Sequence, residues 1–393
     1  MSDAYIVSAV RTPVARAFKG AFRNYRPDDL LADSLRAALA EVPALDPGRV
    51  EDVIVGCAMP EAEQGMNVAR IGALLAGLPD SVPGVTVNRF CSSGLQTVAM
   101  AADRIRLGEA DVMIAAGTET MTMVPMMGHK VAMNPKVFDN DNVAIAYGMG
   151  ITAEKVAREW KVSREAQDEF AYRSHQKAIA AIDGGEFTEI RPVTVTNRVP
   201  DPKTGQVREI ETIVDTDEGP RRDTTPEALG KLRTVFDAKG SVTAGTSSQM
   251  SDGAGALILV SERVVKELNL KPLAVFRGFS VAGVRPEVMG IGPIEAIPKV
   301  LKQTGIGKDE LDWIELNEAF AAQALAVIGN TELDPDKVNP LGGAIALGHP
   351  LGATGAVLSA KLIHGLQRRQ QRYGMVTMCI GTGMGAAGIF ERV

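Results

Sequence analysis

Short apolar runs alternate with longer stretches of helical spacing through the first third of the chain. Runs over 51–55, 85–87 and 112–116 read as strands. Between the last two, Leu95, Val98, Ala99, Ala102 and Ile105 recur at the spacing of a helix buried on one side, with Gly108 where a C-terminal stop belongs. Strand, turn, helix, strand predicts a mostly parallel sheet covered by helices. The last third repeats the pattern. A strand is predicted over 313–316 and a helix over 319–328 that stops at Gly329-Asn330, while Leu351, Gly355, Leu358, Leu362 and Leu366 trace a further helical face. Lys337-Val338-Asn339 precedes a turn and that helix much as Thr86-Val87-Asn88 precedes Cys91, which suggests two related halves packed together.

The middle third differs. From about Glu119 to Ser248 charges rise and the alternation breaks. A polar amphipathic helix is predicted over 163–182, with Ser163 as N-cap and Gly184-Gly185 as the stop. Strands over 193–196 and 207–214 are joined through the turn-rich Asp201-Pro202-Lys203-Thr204-Gly205. This stretch reads as an insertion lying over the core, the kind of segment that carries binding surfaces.

Bulk properties narrow the class. With 393 residues, 45% of them hydrophobic, the chain exceeds what one compact core holds. Charged residues are 23% with a net charge of -6 and no long block of one sign, which argues against a nucleic-acid stripe or a polybasic membrane anchor. Aromatics at 5% are too few for a base-stacking platform. No apolar run approaches the roughly 20 residues of a spanning helix. The start, Met1-Ser2-Asp3-Ala4, lacks the features of a secretory signal, so a cytoplasmic location is expected. Three scattered cysteines, Cys57, Cys91 and Cys379, read as free thiols.

Four segments carry candidate chemistry. Asn88-Arg89-Phe90-Cys91-Ser92-Ser93-Gly94 puts a cysteine at the first turn of a helix, where unsatisfied N–H groups and the dipole would lower its pKa; a buried, inert cysteine is the competing reading. Gly342-Gly343-Ala344-Ile345-Ala346-Leu347-Gly348-His349-Pro350 places His349 at a helix mouth, with Pro350 in the first helical position. Of the four histidines, His175 and His364 fall in polar helical patterns and are expected to be solvated. His349, wrapped in glycines, is the candidate base. Met378-Cys379-Ile380-Gly381-Thr382-Gly383-Met384-Gly385 runs a buried strand into a glycine turn, suited to an oxyanion or simply to a tight hairpin. Asn317-Glu318-Ala319-Phe320 stands at a strand-to-helix junction, where an N-cap asparagine is the bland alternative. Metal-ligand spacing, a phosphate loop and a dinucleotide fingerprint are all lacking, so no metal or nucleotide cofactor is expected.

Together and in this order, the four segments resemble the thiolase family over essentially the whole length, from Val7-Ser8-Ala9-Val10-Arg11-Thr12-Pro13 to the last glycine turn. Further stretches match at Gly117-Thr118-Glu119-Thr120-Met121, Met149-Gly150-Ile151-Thr152-Ala153-Glu154 and Thr243-Ala244-Gly245-Thr246-Ser247-Ser248. The form around His349 looks most like the degradative 3-ketoacyl-CoA branch. The resemblance implies an α/β fold of two similar halves stacked in five layers, αβαβα. The first half would be 1–118 with 249–270 and the second 271–393. An inserted loop domain over 119–248 would serve CoA binding and oligomer contacts. It implies Cys91 as acylated nucleophile, His349 as its base and Cys379 as the acid for the departing acetyl-CoA carbanion. Asn317 would hold a water that forms one oxyanion site with His349, and the N–H groups of Cys91 and Gly381 would form the other. Ser248, Ala244 and Arg221 match CoA contacts, with Arg222 an alternative to Arg221, and Met149, Met289, Ala319 and Phe320 match apolar lining.

By the same resemblance coenzyme A is a co-substrate, and the protein works in fatty acid beta-oxidation as a homodimer or homotetramer, with a possible dehydrogenase or hydratase partner. Short-chain biosynthetic relatives tend to carry histidine where Gly148 stands here, and the smaller residue leaves room for a longer acyl chain. Thr246 stands where asparagine is frequent, with no clear consequence. The apolar, methionine-rich stretch 121–127 suits an interface or a ligand wall. The rivals are acetoacetyl-CoA synthesis from two acetyl-CoA and, in another class, a non-catalytic CoA-lipid binding protein on the same scaffold.

Overall fold

The computed structural model describes residues 3–139 and 141–393. Its first strand β1 (Ala4–Arg11) leads through a short β2 (Ala15–Arg16) to α1 (Pro27–Ala40), β3 (Asp52–Gly56), α2 (Val68–Leu75), β4 (Gly84–Val87), α3 (Ser93–Arg106) and β5 (Val112–Thr120). The helix read from Leu95 to Ile105 is α3: all five periodic residues are buried, and Gly108 takes a left-handed φ of 73° just beyond its end.

Beyond β5 the chain leaves the sheet. It forms α4 (Met149–Glu159), α5 (Arg164–Asp183), the hairpin β6 (Val193–Pro200) and β7 (Val207–Val214), and α6 (Pro226–Gly230). Ser163 caps α5 by accepting from the Ala166 N–H, and Gly184 and Gly185 end the helix, as the sequence predicts. The chain then re-enters as β8 (Ser251–Ser261), which pairs antiparallel with β5, Thr120 opposite Asp252. The whole excursion is therefore spliced between neighbouring strands.

After α7 (Glu262–Glu267) the second unit runs β9 (Ala274–Gly283), α8 (Gly292–Thr304), β10 (Leu311–Leu316), α9 (Ala321–Thr331), the single turn α10 (Ala344–Leu347), α11 (Thr354–Arg369), β11 (Tyr373–Ile380) and β12 (Met384–Arg392). Two details depart from the sequence reading. The helix expected to stop at Gly329-Asn330 continues to Thr331 and closes at Glu332 in a left-handed conformation. Asn330 Nδ2 donates to the Ala326 carbonyl and Thr331 Oγ1 to that of Val327, so the polar pair extends the last turn rather than breaking it. Pro350 is not the first residue of a helix either: it precedes a 3-10 turn over Leu351–Ala353, and α11 starts at Thr354.

The strands follow one path, β10-β11-β12-β9-β1-β8-β5-β3-β4, with β2 beside β8. The seam between halves is β1 with β9, joined through Tyr5–Val275 and Ile6–Ala274 and extended by the Leu273 N–H on the Ile6 carbonyl. Along β8 successive side chains serve different layers. Leu257 and Leu259 join a central cluster with Leu95, Val98 and Ile105 of α3, Leu358, Leu362 and Leu366 of α11, and Phe276, Trp313 and Phe390 of the second half. Ala256, Ile258 and Val260 face the opposite way, onto Leu31 and Leu35 of α1 and Ala69 and Ala73 of α2. On the far side Ile297, Val300, Ala324 and Val327 of α8 and α9 cover Ile314, Leu316 and Ile389. Helices, sheet, central helices, sheet, helices: these are the five layers. Sheet faces covered on both sides explain why β5 is buried at every position and why 112–116 reads as a continuous apolar run.

Two glycines make the central layer possible. A Cβ on Gly355 would lie 2.1 Å from the Leu95 nitrogen, and one on Gly94 would lie 2.6 Å from the nitrogen of Ala356. The first turns of α3 and α11 thus meet backbone to backbone, and the turns that precede them, Phe90–Ser92 and Leu351–Ala353, face each other.

Candidate active site

Cys91 sits in the 3-10 turn Phe90–Ser92 that α3 continues, and its neighbours lock that turn. Asn88 Oδ1 accepts from the Phe90 N–H at 2.8 Å while its Nδ2 donates to the Ala58 carbonyl. Ser93 Oγ accepts from the Arg89 N–H and donates to the Phe90 carbonyl, and Phe90 itself holds a φ of 44°. The sulfur is buried and receives the backbone N–H groups of Gly381 and of Cys91. Those donors pull toward the thiolate, but burial outweighs them and the Glu119 charge adds to it, so the thiol is pushed up to about 11. The expectation of a lowered pKa from the helix start is therefore corrected: the donors are present, and desolvation wins. The resting group is a thiol that needs a base.

Gly381 begins the three-residue loop between β11 and β12, in which Ile380 pairs with Met384. Thr382 and Gly383 both take positive φ, and a Cβ on Gly383 would meet the Val284 carbonyl at 2.4 Å. The loop is a tight hairpin, and one of its N–H groups reaches the Cys91 sulfur. Cys379, two residues earlier, is fully buried, and burial followed by the neighbouring Cys91 raises it well above an ordinary thiol. It packs in one cluster with Ala153, Met289, Ala319 and Phe320, with Met149 against it, which gathers all four residues predicted as apolar lining around the second thiol.

His349 is held on three sides. Its N–H donates to the Gln249 carbonyl at 3.2 Å and to Ser251 Oγ at 3.1 Å. Nδ1 meets Thr354 Oγ1 at 2.6 Å and Nε2 meets Asn317 Nδ2 at 3.3 Å. With the asparagine amide as donor, Nε2 accepts and Nδ1 carries the hydrogen given to Thr354, the tautomer a base at Nε2 requires. Burial lowers the imidazole to about 4, so it stays neutral. Asn317 is no helix cap, since α9 begins at Ala321 after Phe320, and its buried Oδ1 meets no partner among the described residues.

Two cavities flank these groups. One of about 420 Å³ is lined by Phe90, Cys91, Met126, Met127, Tyr147, Gly148, Met149, Leu351 and Gly381, so part of the methionine-rich stretch is a wall of the site. The other, about 200 Å³, brings together His175, Arg221, Ala244, Ser247 and Gln249. Ser248 lies beside it and donates its N–H to the Ala319 carbonyl. Arg222 turns away to pair with Asp183. The solvated reading of His175 and His364 fails. His175 is 4% exposed, because the loop carrying Arg221 lies over this face of α5 and gives its N–H to His175 Nδ1. His364 is half-buried, with Nε2 on the Ala9 carbonyl of β1.

With this geometry in place, comparison with known proteins is direct. The profile "Thiolase, N-terminal domain" matches residues 4–263 and "Thiolase, C-terminal domain" matches 270–392. The chain belongs to the thiolase family. It is 51% identical over 396 residues to a 3-ketoacyl-CoA thiolase of Bacillus subtilis (strain 168), covering 100% of both chains. It is 46% identical to the peroxisomal 3-ketoacyl-CoA thiolase 2 of Arabidopsis thaliana, over 99% of this chain and 84% of that one. Among solved structures, the Bacillus anthracis acetyl-CoA acetyltransferase superposes with a TM-score of 0.89 at 38% identity, and human mitochondrial 3-ketoacyl-CoA thiolase with 0.89 at 37%; each match covers 100% of this chain and 99% of that one.

Some members of this thiolase's site escaped the sequence reading. Thr354, which orients His349, stood in the helical pattern only as a polar residue beside Gly355, and Ser251 and Gln249 follow the quoted Ser247-Ser248 without a signal of their own. His175 carries a measurable consequence. Burial lowers it to about 4 from 6.5, so below pH 6.5 the unfolded chain binds a proton that the folded one refuses. Its contribution is complete above pH 6.5 and is lost as pH falls toward 4, about 2 kcal/mol between pH 7 and pH 5. His349 acts in the same direction, and Asp252, raised to about 6 by burial, acts against both. Urea unfolding of the parent and of His175→Gln at the two pH values isolates the His175 part. The variant should lose less stability on acidification, and an equal loss would remove this assignment.

Proposed function

We propose that this thiolase cleaves 3-ketoacyl-CoA with CoA, through an acyl group carried on Cys91, in the degradative direction of fatty acid beta-oxidation. Cys91 gives its proton to His349 Nε2 as the sulfur attacks the C3 ketone, and the long 3.3 Å contact from the Asn317 amide gives way to free the Nε2 lone pair. The N–H groups that now face the sulfur, those of Cys91 and Gly381, suit an oxyanion formed next to it. The C2–C3 bond breaks, the acyl chain stays as a thioester, and the acetyl-CoA enolate takes its proton from Cys379. Asn317, with Nδ2 on His349 and a free buried Oδ1, is suited to hold a water at the enolate oxygen. In the second half CoA passes its thiol proton to the Cys379 thiolate and attacks the thioester, and the departing Cys91 sulfur recovers its proton from His349. Protons and electron pairs balance without another reactant.

One observation carries the reading. His349 is buried and neutral, and Cys91 and Cys379 are buried thiols near enough for Cys91 to raise Cys379, which supports placing all three around one reacting centre. A nucleophile that must be deprotonated and an acid that must hold its proton are the two states this reaction starts from. A passive CoA-lipid binder would gain nothing from burying both thiols so. The 200 Å³ cavity, with Arg221, Ala244 and nearby Ser248, is the place we assign to CoA.

The acyl chain belongs in the 420 Å³ cavity. At Gly148 a Cβ would meet nothing within 4 Å, so the missing side chain leaves real space beside Tyr147. That favours chains longer than four carbons over acetoacetyl-CoA synthesis. Turnover of acetoacetyl-CoA and of a medium-chain 3-ketoacyl-CoA should differ by at least about tenfold in kcat/KM in favour of the longer chain, a difference of about 1.4 kcal/mol. A preference for the four-carbon substrate would reverse the assignment.

A further inference from the structure

The two halves place corresponding residues at corresponding points, and one of those points is occupied by a group the reaction above does not use. Gly94 and Gly355 oppose each other across the central layer, and three residues before them stand Cys91 and Gly352, each in the middle of its 3-10 turn. In the parallel ladders the last residue of β3, Gly56, pairs with Gly117, and the last residue of β10, Leu316, pairs with Thr377. Two residues beyond those partners stand Glu119 and Cys379. Glu119 thus holds in the first half the place that Cys379 holds in the second.

Its surroundings are built around a carboxylate. Glu119 is fully buried. Oε2 accepts from the Ala58 N–H at 2.7 Å and the Gly352 N–H at 2.8 Å. Oε1 accepts from Gln64 Nε2 at 2.7 Å and the Met59 N–H at 3.3 Å, with the Cys57 sulfur at 4.0 Å. Gln64 is fixed in turn, its Oε1 taking the Thr120 N–H at 2.5 Å. None of the groups described as bonding this carboxylate is cationic. A Cβ on Gly352 would lie 2.8 Å from Oε2 and 2.6 Å from the Ala58 nitrogen, so only glycine fits the clamped position.

The bonds span the two halves. Ala58 and Met59 follow β3, whereas Gly352 belongs to the turn just after His349-Pro350. Leu351 in that turn packs with Cys91, Ala58 and Met121, and lines the acyl cavity beside the nucleophile. We infer that Glu119 is a positioning residue of the thiolase reaction, its carboxylate clamping the Leu351–Ala353 turn of the second half onto the end of β3 and so holding it against the Cys91 turn. The site that mirrors the catalytic thiol has become the fastener between halves, and this rests on the thiolase reading above. The carboxylate has a second effect: burial raises Glu119 itself, and its negative charge adds to the burial that already holds Cys91 as a thiol.

Glu119→Gln in the full chain tests this, with steady-state kinetics on a 3-ketoacyl-CoA and the pH dependence of iodoacetamide alkylation at Cys91 as readouts. Expected are a fall of kcat of about 10- to 100-fold with KM for CoA within about threefold, and an alkylation midpoint moved to lower pH by at least about half a unit. A midpoint that stays in place, with or without a loss of rate, overturns the assignment, because a carboxylate serving only the fold would leave it there. If Glu119→Gln does not fold, Gln64→Ala removes a single donor from the carboxylate; kcat should fall about threefold at unchanged KM, and kcat equal to the parent overturns the proposal. Alkylation needs no substrate, so it still reads on Glu119 if the parent shows no thiolytic activity, the result that would remove the functional reading instead.

Discussion

Cys91→Ala should lower kcat for thiolytic cleavage by at least about 10⁴-fold while the affinity for CoA changes little. The side chain packs with Ala58, Met121 and Leu351 beside the Gly381 N–H and lines the acyl cavity, whereas Arg221 and Ala244 line a separate one. Alanine leaves the turn intact, because Asn88 and Ser93 fix it independently of the sulfur. What disappears is the atom that carries the acyl group, and a direct attack of CoA on the ketone has no substitute in the pocket. Calorimetric titration with CoA beside the kinetic assay separates the two quantities. Retained turnover, or lost CoA binding in a folded variant, would contradict the assignment.

Cys379→Ala should split the reaction. Without its acid the enolate leaves poorly, and C–C cleavage should fall by about 10²- to 10⁴-fold, the usual range for a removed general acid. Acyl exchange between a simple acyl-CoA and CoA through Cys91 needs no carbanion and should fall much less. Burial contributes to the division of labour: Cys379 lies among Met289, Ala319 and Phe320 and holds its proton more tightly than a thiol in water, as an acid for a strongly basic enolate must. Measuring both reactions on one preparation makes the test internal. Equal losses in cleavage and exchange would show that Cys379 supports the site as a whole, with no separate acid role.

What could be read from the chain, and what could not, follows from the range of the forces involved. The helix around Leu95 to Ile105, the capped helix after Ser163 and the hairpin into Gly381 were legible because their signals lie within a few residues of one another. The likeness of the halves was visible in Thr86-Val87-Asn88 and Lys337-Val338-Asn339, and the structure gives both a parallel edge position, Val87 beside β3 and Val338 beside β10. The misses depend on distant packing. His175 reads as solvated until the loop carrying Arg221, forty-six residues later, covers it. The Cys91 pKa goes the wrong way when judged from the helix start, since the local donors show in the sequence and the burial that outweighs them does not. Glu119 appeared only inside a matching stretch; its partners at 58, 64 and 352 come together solely in the fold.

The most direct test is to trap the first half-reaction. The protein is incubated with a 3-ketoacyl-CoA in the absence of free CoA, quenched in acid, digested and read by mass spectrometry. The peptide containing Cys91 should gain the mass of the shortened acyl chain, lose it on adding CoA or neutral hydroxylamine, and stay unmodified in Cys91→Ala. An acyl group found on Cys379 or Cys57 instead, or turnover with no adduct on any cysteine, would contradict the account.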